Sequence, residues 1–281
     1  MENLIKKSRK SFTTLATLKV LLDDYMAQLQ AGNAYLGLSI PGITSAYEAY
    51  QTRFGRREQF YGSYVQRHCR AGDLFVEENN RYKIRPEHVE GKPAATLEAY
   101  DAAIFACLAE ETDRLVEQSI EIERLITEND SKAAYTYIQS LFDSKEFRNY
   151  GQLFEIVSFA VLKVYFEHFG FVLNRFSTTF SNDGGMDFIA SAGIYQVTTH
   201  AVDKKILGDI SKQKGVNKVL VVSDLKEKQR EKYFGEEGVT DIITTGDLKS
   251  HFMAWLIRSE PFKPSMIRVL KVIQHEFSRE L

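Results

Sequence analysis

The sequence predicts an α/β chain: a helical N-terminal module closed by a β-hairpin, a helical connector, and a C-terminal mixed sheet with the order αβββαβ. Three observations lead there. Up to about residue 145 apolar residues recur at helical spacing, interrupted by one pair of β-prone runs around "EENN". From about residue 148 five short β-branched or aromatic runs replace that period. Helical stretches separate the third, fourth and fifth of these runs, which permits parallel pairing there.

Residues 11–30, "SFTTLATLKVLLDDYMAQLQ", carry apolar residues at helical spacing and stop at "AGN". "SIPGITSAYEAYQTRFG" predicts a short helix ending near Gly55, with Thr44 or Ser45 as its cap. "RREQFYGSYVQRHCRAG" predicts another, closed by Gly72. In "DLFVEENNRYKIRP" two β-prone runs flank "EENN", a hairpin signal. Three helices and a hairpin in that order describe a winged helix-turn-helix over residues 1–95. In that motif the last helix enters the DNA major groove and the wing touches the backbone. The helix would present Arg57, Gln59, Tyr64, Arg67 and Arg70, and the wing Arg81, Lys83 and Arg85. Arg and Gln are side chains that read guanine and adenine edges through paired hydrogen bonds. A solvated basic face, or a winged helix that binds protein, is the plainer reading of the same residues.

"EGKPAAT" at 90–96 reads as a linker. "LEAYDAAIFACLAEETDRLVEQSIEIERLITEND" then predicts a long helix with alternating charge on its polar face, within a connector spanning 96–147. It suits packing, with dimerisation as an alternative.

The third region, 148–281, opens on the mostly apolar helix "NYGQLFEIVSFAVLKVYFEHFG". The β-prone runs "FVLNRFS", "GMDFIAS" and "GIYQVTT" follow, then helical "VDKKILGDISKQKG", a strand "KVLVVSD", helical "EKQREKYFGEEG" and a strand "TDIITT". Two helices, around "LKSHFMAWLI" and "SMIRVLKVIQHEFSREL", finish the chain.

Composition narrows the partners. The 281 residues are 44% hydrophobic and 12% aromatic, ample for cores, and the net charge is −2. That charge excludes a protein that holds nucleic acid by bulk charge alone. The N-terminal third is mildly basic and the rest mildly acidic, which permits a DNA-reading module without demanding one. No long apolar run predicts a membrane span, and the basic start is a poor signal peptide. Cys69 and Cys107 form neither a disulfide framework nor a zinc spacing, so a reduced cytoplasm is the expected setting.

The chemistry-bearing stretch is "SNDGGMDFIASAGIYQVTTH", Ser181 to His200. Read as two strands joined by a Gly turn, it lets Asp187 and Gln196 point into one site. Asp183 suits an Asx-turn leading into the paired glycines. "DGGMDFIA" followed by "YQVT", within this element order, resembles the PD-(D/E)XK nuclease superfamily and its Mrr-type restriction endonucleases. The likeness covers about 148–245. It implies a magnesium-dependent endodeoxyribonuclease domain, with Mn²⁺ able to substitute. Phosphodiester hydrolysis needs a divalent cation to activate water and neutralise phosphate charge. The resemblance implies Asp187 as principal ligand, the Val197 carbonyl as a second oxygen, Gln196 in the family's acid-or-amide position, and Glu155 as the helical acid. The family's Lys two residues after Gln196 is Thr198 here. Lys204 or Lys205 could reach back to replace its charge, His200 could assist, the metal could act alone, or the site could be dead.

At whole-chain level these residues imply a type II restriction endonuclease, reading unmodified or modified double-stranded DNA as a homodimer, with a cognate DNA methyltransferase in the same system. The alternatives are a DNA-binding regulator with an inactive nuclease fold, and a repair or phage-defence nuclease outside restriction.

Overall fold

The computed structural model describes residues 12–54, 65, 69, 74–145, 150–176, 186–191, 193–199, 215–225, 233, 239–261 and 264–280. The chain forms two compact units, 1–118 and 119–280.

In the first unit, helix α1 (Phe12–Gln30) buries Phe12, Leu15, Leu18, Leu21 and Leu22. It ends in a Schellman turn: Gly32 adopts φ +69°, and the Asn33 N–H reaches back to the Gln28 carbonyl at 2.9 Å. Helix α2 (Ile40–Tyr47) begins earlier than the sequence suggested, because Ser39 caps it by accepting the Gly42 N–H. Pro41 suits this first turn, where its missing N–H costs no helical bond. Thr44, the expected cap, lies inside the helix and donates its hydroxyl to the Ile40 carbonyl. A 3₁₀ turn (Glu48–Tyr50) leads into α3 (Gln51–Phe54). The expected third helix, around "RREQFYGSYVQRHCRAG", lies almost wholly outside the described residues.

Strands β1 (Phe75–Glu78) and β2 (Arg81–Ile84) form the expected hairpin. Asn79 and Asn80 both have positive φ, the left-handed pair that matches strand twist in a two-residue turn. Leu38 adds a two-bond bridge to Tyr82, at 3.0 and 2.7 Å. Gly37 (φ +72°) permits that approach, since a Cβ there would collide with the Tyr82 carbonyl.

One turn, α4 (Pro86–Val89), precedes α5 (Ala94–Glu128), so the expected linker at 90–96 shrinks to a turn at Gly91. Leu97, Tyr100, Ile104 and Leu108 of α5 belong to the first unit's core, whereas Ile122 and Leu125 belong to the second's. The first unit therefore extends well past the boundary at residue 95 that the sequence suggested. Asn129 (φ +55°) ends α5, and the Asp130 carboxylate caps α6 (Ser131–Asp143) through two backbone N–H groups.

The second unit is a mixed α/β structure around five strands: β3 (Leu173–Arg175), β4 (Phe188–Ala190), β5 (Gly193–Thr198), β6 (Lys218–Val222) and β7 (Asp241–Thr244). They lie in sequence order; β3–β4 and β4–β5 are antiparallel, and β5–β6 and β6–β7 parallel. The helices expected at 202–215 and 227–238 fall outside the described residues, apart from single residues. Helix α7 (Tyr150–His168) precedes the sheet. After β7 come α8 (Thr245–Asp247), a π-helical turn (Leu248–Met253), α9 (Ala254–Ser259) and α10 (Met266–Glu280).

Phe188, Tyr195, Val219 and Val221 join residues of α6, α7 and α10 in one large core. Leu220, Val222 and Ile242 join Tyr233 and Val239 in a smaller one. Strand alternation assigns these two sets to opposite faces, which explains why all of "KVLVV" in β6 is buried. Among the described residues, no helix is long and apolar enough to cross a membrane.

Candidate active site

Asp187 stands immediately before β4, beside the Tyr195–Val197 stretch of β5. Its backbone continues the ladder, donating to the Tyr195 carbonyl at 2.9 Å and accepting from the Phe176 N–H at 2.9 Å. The strand pair thus fixes the carboxylate beside β5. Asp187 Oδ2 accepts two hydrogen bonds, from the Val197 backbone N–H at 2.6 Å and Gln196 Nε2 at 2.8 Å. The second proton of that Gln196 amide group faces the Val197 carbonyl oxygen at 3.5 Å. Three of the residues singled out by sequence therefore meet within hydrogen-bonding range.

Gln196 Oε1 is buried and has no partner among the described residues. A buried carbonyl oxygen left so costs roughly 1–3 kcal/mol of desolvation. Turning the amide by half a rotation would bring Oε1 into the position of Nε2, 2.8 Å from Asp187 Oδ2 and 3.5 Å from the Val197 oxygen. Three oxygens so placed repel one another unless a cation lies among them. The present arrangement uses the amide N–H₂ as that positive partner. The donor set is one carboxylate, one amide oxygen and one carbonyl, and so fits a hard cation such as Mg²⁺. Among the described residues it includes neither a thiolate nor an imidazole, the ligands typical of zinc. Among the described residues, no three His, Cys, Asp or Glu side chains gather to hold a metal.

Glu155 occupies a different setting. It is 8% exposed on α7, and its Oε1 accepts from Arg175 Nε at 2.8 Å. Arg175 Nη1 donates to Glu276 Oε2 at 2.8 Å, so one guanidinium links α7, β3 and α10. Arg175 pairs in register with Phe188 and shares its face of the sheet. Gln196 and Thr198 take the opposite parity on β5 from Tyr195 and Val197, which pack against the α7 core. The acid that interrupts an apolar helix thus has a structural partner. Sequence reasoning missed Arg175, although an Arg inside "FVLNRFS" was the available signal.

Thr198 is half-buried at the end of β5, with its carbonyl accepting from the Ser223 N–H at 3.2 Å. A Cβ on Gly151 of α7 would come to 3.4 Å from Thr199 Oγ1, so this helix start closely approaches the strand's end. Burial, aided by Asp241, pushes the Tyr195 phenol up to about 12, so it stays neutral at ordinary pH. Asp183, His200, Lys204 and Lys205 lie outside the described residues, as do Arg57, Gln59, Tyr64, Arg67 and Arg70. On the wing, Arg81 is exposed, Lys83 is paired with Glu78 at 2.6 Å, and Arg85 lies 3.7 Å from Glu87.

No protein-family model, curated protein or solved structure matches this chain.

Proposed function

We propose that the chain is a metal-dependent endodeoxyribonuclease of the PD-(D/E)XK type, acting as a type II restriction enzyme on double-stranded DNA. The observation that carries this reading is the meeting of Asp187, the Gln196 amide and Val197 across β4 and β5. The sheet supports it, since an antiparallel β3–β4–β5 meander followed by parallel β6 suits an αβββαβ nuclease core.

Asp187, Gln196 and the Val197 carbonyl would hold Mg²⁺, or Mn²⁺ in its place. The bound cation supplies activation of water and neutralisation of charge on the phosphate. Asp187 acts as the anchoring charge, oriented by the Val197 N–H. Gln196 would turn its oxygen toward the cation. Thr198 would offer a hydroxyl beside it without adding charge, and Lys204 or Lys205 would supply the positive charge that the family's lysine carries. Glu155 serves mainly to hold Arg175.

The N-terminal unit is the DNA reader in this proposal. Its hairpin turn and the Leu38–Tyr82 bridge support a wing. Arg81 is then its phosphate contact, because Lys83 is already paired with Glu78. A homodimer and a cognate DNA methyltransferase complete the proposed system. Thr198 in place of Lys favours a second reading, a DNA-binding regulator with an inert nuclease fold.

Digestion of mixed methylated and unmethylated plasmids with Mg²⁺, and again in EDTA, tests the proposal. Cleavage is expected with the cation and not with chelator, and Asp187→Ala should slow it by roughly a thousandfold. Robust cleavage in EDTA, or Asp187→Ala within about tenfold of the parent, removes the metal assignment. DNA binding without cleavage under any cation establishes the regulator.

A further inference from the structure

A cavity of about 360 Å³ opens between α7, β3 and α10, away from the Asp187–Gln196 pair. Its polar lining comes from Lys163, Asn174, Arg175, Lys271, His275 and Glu276. Lys163, Arg175 and Lys271 are fixed cations and Glu276 is an acid. Glu276 and Arg175 are both deeply buried and joined at 2.8 Å, and Arg175 also bonds Glu155. The lining acid is thus already engaged by the guanidinium beside it.

The remaining donors are better placed to receive something. Lys271 and His275 lie one turn apart on α10, both exposed, with no hydrogen bond or ion pair from either side chain among the described residues. Asn174 of β3 lines the opening and is exposed. Lys163 comes from α7, its ammonium 2.9 Å from Glu167, which Arg268 also pairs. A solvated basic helix face would account for Lys271 and His275 alone. It does not account for donors from three elements converging on a hollow whose other walls, Phe159, Leu173 and Val272, are apolar. A volume in this range suits a small-molecule site, where apolar walls bind and a few polar groups orient.

We infer that this cavity binds a phosphate-bearing molecule, its anionic group held by Lys163, Lys271 and His275 and its less polar part against Phe159, Leu173 and Val272. The inference is independent of the nuclease reading. The phosphate could belong to a free mononucleotide or to a nucleic-acid backbone, and the donors suit either.

Titration calorimetry of the full chain with AMP, inorganic phosphate and adenosine tests it. AMP should bind once per chain, phosphate more weakly, and adenosine roughly tenfold or more weaker than AMP, since charge-assisted hydrogen bonds supply the difference. Lys271→Glu, an exposed change on a helix surface, should weaken AMP about tenfold or more, and His275→Ala several-fold. Asn174→Asp, also exposed, adds a negative charge at the same opening. A short DNA duplex that displaces AMP assigns the site to backbone phosphate; AMP that stays bound assigns it to a free nucleotide. The inference is overturned by absence of AMP and phosphate binding, by adenosine binding as tightly as AMP, or by affinities unchanged in both the Lys271 and Asn174 variants.

Discussion

Gln196 donates to a carboxylate and a carbonyl through one amide nitrogen while its own oxygen stays buried without a partner among the described residues. Gln196→Glu separates a cation role from a purely structural one. The substitution removes the Nε2 donor and sets two carboxylates side by side, which disfavours the charged pair without a counter-ion. The variant should therefore melt below the parent in EDTA and gain more in melting temperature from Mg²⁺, because a ligand stabilises the state it binds. Equal Mg²⁺-induced shifts in the two proteins exclude a cation beside Gln196. Asp187 needs its own control. It accepts the Val197 N–H, so Asp187→Ala should cost roughly 1–3 kcal/mol of stability through that orphaned donor. Asp187→Asn keeps an acceptor oxygen and should unfold in urea near the parent while remaining as inactive as the alanine variant. These roles were partly legible. The spacing of Asp187 and Gln196 across a Gly turn indicated a shared site, whereas the fate of each amide proton depended on the register of β4 and β5.

Among elements, β3 is only three residues long, yet it carries the guanidinium that joins α7 to α10. Arg175→Met should destabilise the second unit by about 3–5 kcal/mol, because the buried Glu155 and Glu276 both lose the guanidinium that pairs them. Adding Glu155→Gln and Glu276→Gln should recover much of that loss. Urea denaturation measures both steps, and a single variant within about 1 kcal/mol of the parent would show that the triad has no stabilising role. The strands themselves were readable from short β-branched and aromatic runs. Arg175 was not assigned, because an Arg in a β-prone run reads equally as an exposed edge residue. Its burial follows from two acids far away in sequence.

For the whole molecule, the contribution of α5 to the first core predicts where the chain can be divided. A fragment of residues 1–95 lacks Leu97, Tyr100, Ile104 and Leu108, whereas 1–118 retains them. The longer fragment should unfold cooperatively in circular dichroism, and the shorter should show a broad transition at lower temperature. Equal, sharp transitions would show that α5 adds nothing to that core. The second unit should also carry an alkaline limit. Burial, above all, pushes the phenols of Tyr137, Tyr150 and Tyr195 up to about 12. An unfolded Tyr titrates near about 10. A raised folded value means the folded state holds the proton more tightly, so this contribution is intact below about pH 10 and lost as pH rises towards about 12. Tyrosinate absorbance should rise for the exposed phenols first, with a late phase that coincides with loss of helical signal. A single early phase would show that these three are not protected.

The sequence alone determined the order of the five C-terminal strands, the Asn-Asn hairpin and the Asp187–Gln196 pairing. All of these are local: a period of apolar residues, turn chemistry between two runs, and a spacing across one hairpin. Only the tertiary structure decided that Glu155 answers to Arg175 and Glu276, that the first half of α5 completes the first core, and that donors on α7, β3 and α10 surround one cavity. Each of these depends on which distant side chains share a buried space. A buried charge takes its role from whatever neutralises it, and for Glu155 the partners lie 20 residues away on β3 and, through Arg175, a further 101 away on α10.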